Sequence, residues 1–297
     1  MRSGPQAEWR AGWAFIAPAL AVILLFFVLP VLGGLALSFT NFDIYAIGDP
    51  ATASFVGLEN YRTLLTSPLF WRSLGNTFYF VVVAGPLSVA LSLLAALLVS
   101  SPLARWQGLF RTVYFAPVVT TLVAVAVVWR YLYHPRFGLL NRALEAVGVS
   151  AIDWLGDPRT AMPAIILVAV WKSFGYNMVI FVAGLQAIPV SLYEAARIDG
   201  AGFWRRFWHI TLPGLKPTFL FVGLTTMIGY FQLFAEPYVM TAGGGPLNAT
   251  LSVVLYMYKE GFRWWNMGYA AAVAFALFLV ILAATVMQLR LQRGRVQ

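Results

Sequence analysis

The segment Glu194-Ala195-Ala196-Arg197-Ile198-Asp199-Gly200, closed by Ile210-Thr211-Leu212-Pro213, is a charged, helix-favouring island between two long apolar stretches. Its residue types suit docking better than catalysis. Ala195 and Ala196 give a flat surface that another protein can approach closely. Glu194 and Asp199 supply charges, and Gly200 supplies a bend without a Cβ. Ser191 stands three residues before Glu194, the spacing of a capping box, and Asp199-Gly200 is a helix stop. A second amphipathic turn interleaves Phe203, Trp204, Phe207 and Trp208 with Arg205, Arg206 and His209. On residue types alone two uses stay open. The island is a knob for a partner's groove, or Glu194 caps its own helix while the aromatics lie in the lipid headgroup layer.

Catalytic chemistry finds little to work with. There is no cysteine, and the only two histidines, His134 and His209, are far apart, so no metal site is expected. A phosphate-binding loop needs Gly-Lys followed by Ser or Thr. The three lysines Lys172, Lys216 and Lys259 follow Trp171, Leu215 and Tyr258 instead. Any ATP used in this protein's work is therefore hydrolysed by another chain, and no cofactor is expected on this one.

The 297 residues are 61% hydrophobic and 10% charged, against roughly 45–50% and about 25% in soluble domains. Such a chain cannot clothe a water-soluble body and reads as an all-α integral membrane protein. About 20 apolar residues span the hydrocarbon core as a helix, and six segments qualify, at 12–38, 75–100, 109–132, 161–187, 214–238 and 267–289. Barrel strands would be shorter and alternating. The N-terminal run is longer than a signal sequence's apolar region and lacks a cleavage site, so it reads as a retained span. Pro18 and Pro30 are expected to bend it.

The net charge of +9 is dispersed among apolar segments, so nucleic acid is not an expected partner. With the N-terminus inside, one face carries Arg2, Arg10, Arg105, Arg111, Arg197, Arg205, Arg206, Lys216, Arg290, Arg293 and Arg295, and few acids. The other face holds most of the acids. This bias puts both termini and the 189–213 loop in the cytoplasm. Three outer loops, at 39–74, 133–160 and 239–266, are long enough to offer interaction surface.

Polar residues inside spans are costly and face a bundle interior or a water cavity. Asn76, Thr77, Thr120, Thr121, Lys172, Ser173, Tyr176, Asn177, Thr225, Thr226, Tyr230, Gln232 and Glu236 are the candidates. Aromatic rings can stack on a sugar face while Asn, Gln and Ser bond its hydroxyls. The same groups can also simply join helices to one another. No internal repeat favours an inverted-repeat secondary transporter, and no clustered carboxylates or histidines favour a membrane enzyme.

Glu-Ala-Ala, then Gly200, nine further residues and Ile-x-Leu-Pro resemble the "EAA" loop of permease subunits of binding-protein-dependent ATP-binding-cassette importers. The order of Gly57-Leu58-Glu59-Asn60-Tyr61, Gly184-Leu185-Gln186-Ala187-Ile188-Pro189 and Thr241-Ala242-Gly243-Gly244-Gly245-Pro246 is similar to the carbohydrate-uptake branch. The MalF-like partner of maltose, lactose and glycerol-phosphate importers fits best. The resemblance implies the type I (MetI-like) permease fold: an N-terminal span and first periplasmic loop at 1–74, a core at 75–289 with a coupling loop at 189–213, and a cytoplasmic tail at 290–297. It assigns Glu194, Ala195, Ala196, Arg197, Asp199 and Gly200 to contact with an ATPase subunit. Lys172, Ser173, Tyr176, Thr226, Tyr230 and Leu233 fall on the substrate pathway. It further implies a second homologous permease, two ATPase subunits holding ATP and magnesium, an extracytoplasmic binding protein, membrane lipid and a sugar, all at the bacterial inner membrane. Glycerol phosphate or another small polar solute is the alternative cargo.

Overall fold

In lipid every backbone N–H and C=O must be satisfied within the segment, so uninterrupted runs of Leu, Ala, Val and Phe become helices. The computed structural model describes residues 5–49, 52–101 and 106–293. In chain order the helices are α1 (Pro5–Ile23), α2 (Leu29–Leu37), α3 (Ile44–Gly48), α4 (Glu59–Thr66), α5 (Pro68–Val99), α6 (Gln107–Val119), α7 (Leu122–Leu132) and α8 (Leu139–Ala146). They continue with α9 (Ala161–Gln186), α10 (Val190–Ile198), α11 (Phe203–Arg206), α12 (Leu212–Gly214), α13 (Lys216–Phe231), α14 (Ala235–Met240), α15 (Val253–Tyr258) and α16 (Met267–Arg293). Among the described residues the extended pairing is a single bridge between Thr40 and Phe55.

Among those residues, five stretches are long and apolar enough to cross a membrane: Gly12–Leu37, Pro68–Val99, Ala161–Gln186, Lys216–Met240 and Met267–Leu291. The second begins at Pro68 rather than 75, because Phe70 and Ser73 are already buried against the rest of the chain. The expected third span, 109–132, is not one straight helix. α6 and α7 meet at a bend of 99°. Val118-Val119-Thr120-Thr121 is a run of β-branched residues that disfavours helix, Thr120 and Thr121 are extended, and the Thr120 hydroxyl donates to the Pro117 carbonyl at 2.7 Å. Counting this bent pair as one span gives six.

The chain forms two compact units, Met1–Ser67 with Met257–Phe278 and Pro68–Tyr256 with Leu279–Gln297. In the first unit, Pro30 follows a π-helical turn at Leu24–Val28, where the Leu29 N–H bonds to Leu24. The Gly-Leu-Glu-Asn-Tyr motif closes the end of α2. Asn60 donates to the Ser38 and Thr40 carbonyls at 2.9 and 2.8 Å, and Tyr61 OH meets Ser38 Oγ at 2.7 Å. None of the side chains in the apolar window of the first span is buried.

In the second unit α9 is the central helix. It packs chiefly on α5 and also on α6 and α13. Gly175 permits the closest approach, since a Cβ there would strike the Tyr114 carbonyl of α6. Two apolar clusters lie along α9. Ile165, Val168 and Ala169 join Phe80, Val125 and Leu233 in one, and Met178, Phe181 and Val182 join Ala96, Leu215 and Val222 in the other. The loop after α14 is tied back to α5: Asn76 donates to the Asn248 and Leu251 carbonyls, and Thr77 Oγ1 accepts from the Val253 N–H at 3.0 Å.

Candidate functional site

Between those two clusters the face of α9 changes character. Lys172, Ser173, Tyr176 and Asn177 are spaced so that they share one side of the helix. They open onto a cavity of about 480 Å³, within the ~300–1,000 Å³ range of small-molecule pockets. α13 supplies Thr225, Thr226, Gly229 and Tyr230 to the opposite wall. The chain then leaves helical geometry at Gln232, Leu233 and Phe234, all of which also line the cavity, before α14 begins. Non-helical backbone at membrane depth is tolerated only where protein buries it or where it borders a cavity. Here the freed Leu233 carbonyl accepts from the Ser252 hydroxyl at 2.5 Å.

The polar groups of the cavity wall are partly committed to one another. Tyr230 OH and Ser173 Oγ are 2.6 Å apart, and Ser173 Oγ lies 3.2 Å from Ser88 Oγ on α5. Asn177 donates to Thr226 Oγ1 at 2.9 Å. Ser92 bonds back to the Ser88 and Phe174 carbonyls. The Tyr230 ring is held against Phe80 at 5.1 Å between centroids. This network fixes the wall's shape and leaves Tyr176, half exposed, with a free ring face. One basic side chain, Lys172, and one acidic side chain, Glu236, line the cavity. Glu236 is 8% exposed.

All six expected pathway residues, Lys172, Ser173, Tyr176, Thr226, Tyr230 and Leu233, lie on this one cavity. Asn177, Thr225, Gln232 and Glu236, which sequence marks only as polar residues in spans, border it too. Sequence reasoning missed Ser88 and Ser92. Their four-residue spacing inside an apolar run was the available signal.

The charged island forms the short helix α10. It starts two residues earlier than a Ser191 cap would place it: Pro189 is the N-cap, and the Leu192 N–H bonds to the Pro189 carbonyl. The expected Ser191–Glu194 capping box is therefore not formed, because Ser191 already sits inside the first turn. The stop is as expected. Gly200 has φ +73, Ala201 N–H bonds to the Ala196 carbonyl at 2.8 Å and Gly200 N–H to the Arg197 carbonyl at 3.1 Å, a Schellman closure. Glu194, Ala195, Arg197, Asp199 and Gly200 are exposed and Ala196 half-buried. The neighbouring Ile198 is 88% exposed. Tyr193, on the inner side, reaches Thr211 Oγ1 at 2.9 Å and so ties α10 to the chain leading into α13.

No group of three or more His, Asp or Glu side chains able to hold a metal occurs among the described residues. The arrangement offers a polar, aromatic cavity within a helical bundle and, beyond the C-terminal end of α9, an exposed helix that carries Glu194, Arg197 and Asp199 outward.

A family model described as "Binding-protein-dependent transport system inner membrane component" matches residues 88–297. The chain is 40% identical over 288 residues to the lactose transport system permease protein LacF of Rhizobium radiobacter, covering 96% of this chain and 94% of that protein. It is 36% identical over 291 residues to the trehalose/maltose transport system permease protein MalF of Thermococcus litoralis, covering 97% and 95%. Its fold is similar to a chain of a bacterial alginate ABC transporter in complex with an alginate pentasaccharide-bound periplasmic protein. The TM-score is 0.77 at 21% identity, covering 97% of this chain and 96% of that one.

Proposed function

The chain belongs to the inner-membrane components of binding-protein-dependent transport systems, and from that premise we propose that it forms half of the translocation path of an ATP-driven sugar importer. It is a multi-pass membrane subunit of a non-catalytic permease family. The cavity between α9 and α13 carries the reading. It combines hydroxyls, carboxamides and the Tyr176 ring, which suit the hydroxyl-rich faces of a sugar. Lys172 is the one basic residue on a wall made mostly of hydroxyls, carboxamides and apolar groups, which suits a neutral di- or oligosaccharide better than glycerol phosphate. The relatives named for lactose and for trehalose/maltose point the same way.

In this proposal α10 is the element seated in an ATPase subunit. Glu194, Ala195, Ala196, Arg197, Asp199 and Gly200 make the contact, and ATP and magnesium stay on that partner. A second homologous permease supplies the other half of the path, two ATPase subunits bind below, and an extracytoplasmic binding protein delivers the sugar. The bare first span is in keeping with a subunit whose helices meet lipid and another permease. Both termini are cytoplasmic in the bacterial inner membrane. Reporter fusions at Gly48, Asp153 and Gly245 are expected to read outside, and a cytoplasmic signal at any of them would sink this topology.

The cavity assignment is tested by Tyr176→Ala. Sugar uptake is expected to fall while the assembled complex is recovered at the wild-type level. Unchanged uptake kinetics would move the path to the other permease.

A further inference from the structure

We propose that this subunit holds an anionic phospholipid at the inner end of α5, with its acyl chains on an apolar groove and its phosphate on the half-buried guanidinium groups of Arg111 and Arg206. Two adjoining cavities carry the inference. One, of about 820 Å³, is walled by Leu94, Leu97 and Leu98 of α5 and by Phe203, Trp204 and Phe207 of the aromatic turn. The other, of about 350 Å³, is polar, and Ser100, Gln107, Arg111 and Gln186 line it. Leu97, Tyr193 and Thr211 border both.

Among the described residues, three buried side-chain polar atoms lack a hydrogen-bond partner: Ser100 Oγ, Arg111 Nε and Arg206 Nε. All three residues line these two cavities. A buried donor left unpaired is costly, and the occurrence of all three on two adjoining cavities points to a site that takes an acceptor. Neither cavity is lined by an Asp or Glu, while Arg111, Arg197 and Arg206 supply three positive charges. An apolar groove running into a cationic, donor-rich pocket matches one chemistry, a diacyl tail joined to a phosphate. A helix of a second permease is the competing occupant of the groove, and the cross-linking arm below tests it. Placing the lipid in the cytoplasmic leaflet rests on the proposed orientation. Lipid occupancy itself does not.

Tyr193 gives the site a consequence. Its ring borders both cavities and its hydroxyl holds Thr211, so a bound lipid packs against the inner side of α10. The lipid would brace the docking helix on the bundle.

The test uses the whole assembled importer, reconstituted in bilayers of phosphatidylcholine with a minor share of phosphatidylglycerol, then extracted gently and weighed intact by native mass spectrometry. Wild-type complex is expected to retain phosphatidylglycerol in preference to phosphatidylcholine. Arg111→Gln combined with Arg206→Gln should lower that retention about tenfold, as expected for the loss of charge-assisted hydrogen bonds. Leu98→Trp, at an exposed position on the groove, should lower retention of either lipid. Free inorganic phosphate should not displace the lipid.

Equal retention of the two lipids by wild-type complex would overturn the proposal. So would unchanged retention in Leu98→Trp, or displacement by inorganic phosphate, which would make this a site for a free anion. A Leu98→Cys cross-link to the second permease in native membranes would show that a helix occupies the groove. If the double arginine variant does not assemble, Leu98→Trp and the phosphate competition still decide. Retention is read without transport, so this proposal can fail while the transport reading stands.

Discussion

Gly175 and Gly200 are needed for opposite reasons, and the contrast separates the two working regions of the molecule. At Gly175 the backbone is ordinary helix and the space is full, since a Cβ would strike the Tyr114 carbonyl. At Gly200 the space is open, with nothing within 4 Å of a Cβ, and φ is +73. The cavity region is made by close approach and by groups that satisfy one another, such as Ser173 with Tyr230 and Asn177 with Thr226. The α10 region is made by local chain geometry and leaves its charges outward. Among the described residues no partner is found for the Glu194 carboxylate. The bundle commits its polar groups to itself, while the proposed docking surface turns them outward.

The largest effect that tests this contrast is expected from Gly175→Val. α6 and α9 cannot close over a side chain, and overpacking costs at least ~1–3 kcal/mol. The protein should fail to accumulate in membranes. Normal levels with normal uptake would break the claim that close approach shapes the cavity.

Tyr230→Ala comes next. It removes a ring packed on Phe80 and the hydroxyl on Ser173 together, and large-to-small changes of this kind cost about 3–5 kcal/mol in protein cores. Uptake should be lost, with reduced but measurable assembly. Tyr230→Phe separates the two contributions, since it gives up only a hydrogen bond worth about 0.5–1.5 kcal/mol. Uptake equal in both variants would mean that the ring does not form the wall.

A smaller and purely local effect is expected at Gly200. A residue with a Cβ in left-handed geometry costs roughly 1–2 kcal/mol, while Asn tolerates that geometry. Gly200→Val should keep wild-type membrane levels and lose much of the ATPase stimulation by the binding protein. Gly200→Asn should retain more of it. Equal loss in both would point to a steric clash with the partner rather than to backbone strain.

Much of this division was legible before any coordinates. Lys172, Ser173, Tyr176 and Asn177 stand out because polar residues inside an apolar span are conspicuous, and their spacing puts them on one helical face. Thr226 and Tyr230 repeat that spacing on α13. Ser88 and Ser92 were not singled out, because serine is unremarkable in a membrane helix and their partners lie 82 to 89 residues away. Hydropathy averages over a window, so it could not see the 99° bend after Val119 or the non-helical Gln232–Phe234 stretch. Both depend on a few residues and on neighbours that bond the freed carbonyls. In α10 the stop at Gly200 was readable from local chemistry. The start was not: Pro189 has no N–H to donate, and its non-helical geometry takes the cap from Ser191.

In the proposed function, the cavity's work is driven through α10 by a partner that hydrolyses ATP. Glu194→Gln tests it most directly, because it removes a charge with no partner among the described residues and keeps the side chain's size. The measurement is ATP-dependent sugar uptake by proteoliposomes holding the assembled importer and its binding protein, with bound ATPase subunits quantified in the same samples. The account predicts wild-type levels of the variant protein and uptake lower by about ten- to a hundredfold, the size of a lost charge-assisted contact of 1.5–3 kcal/mol. Wild-type uptake with ATPase subunits still bound, or uptake by the wild-type importer without ATP, would contradict it.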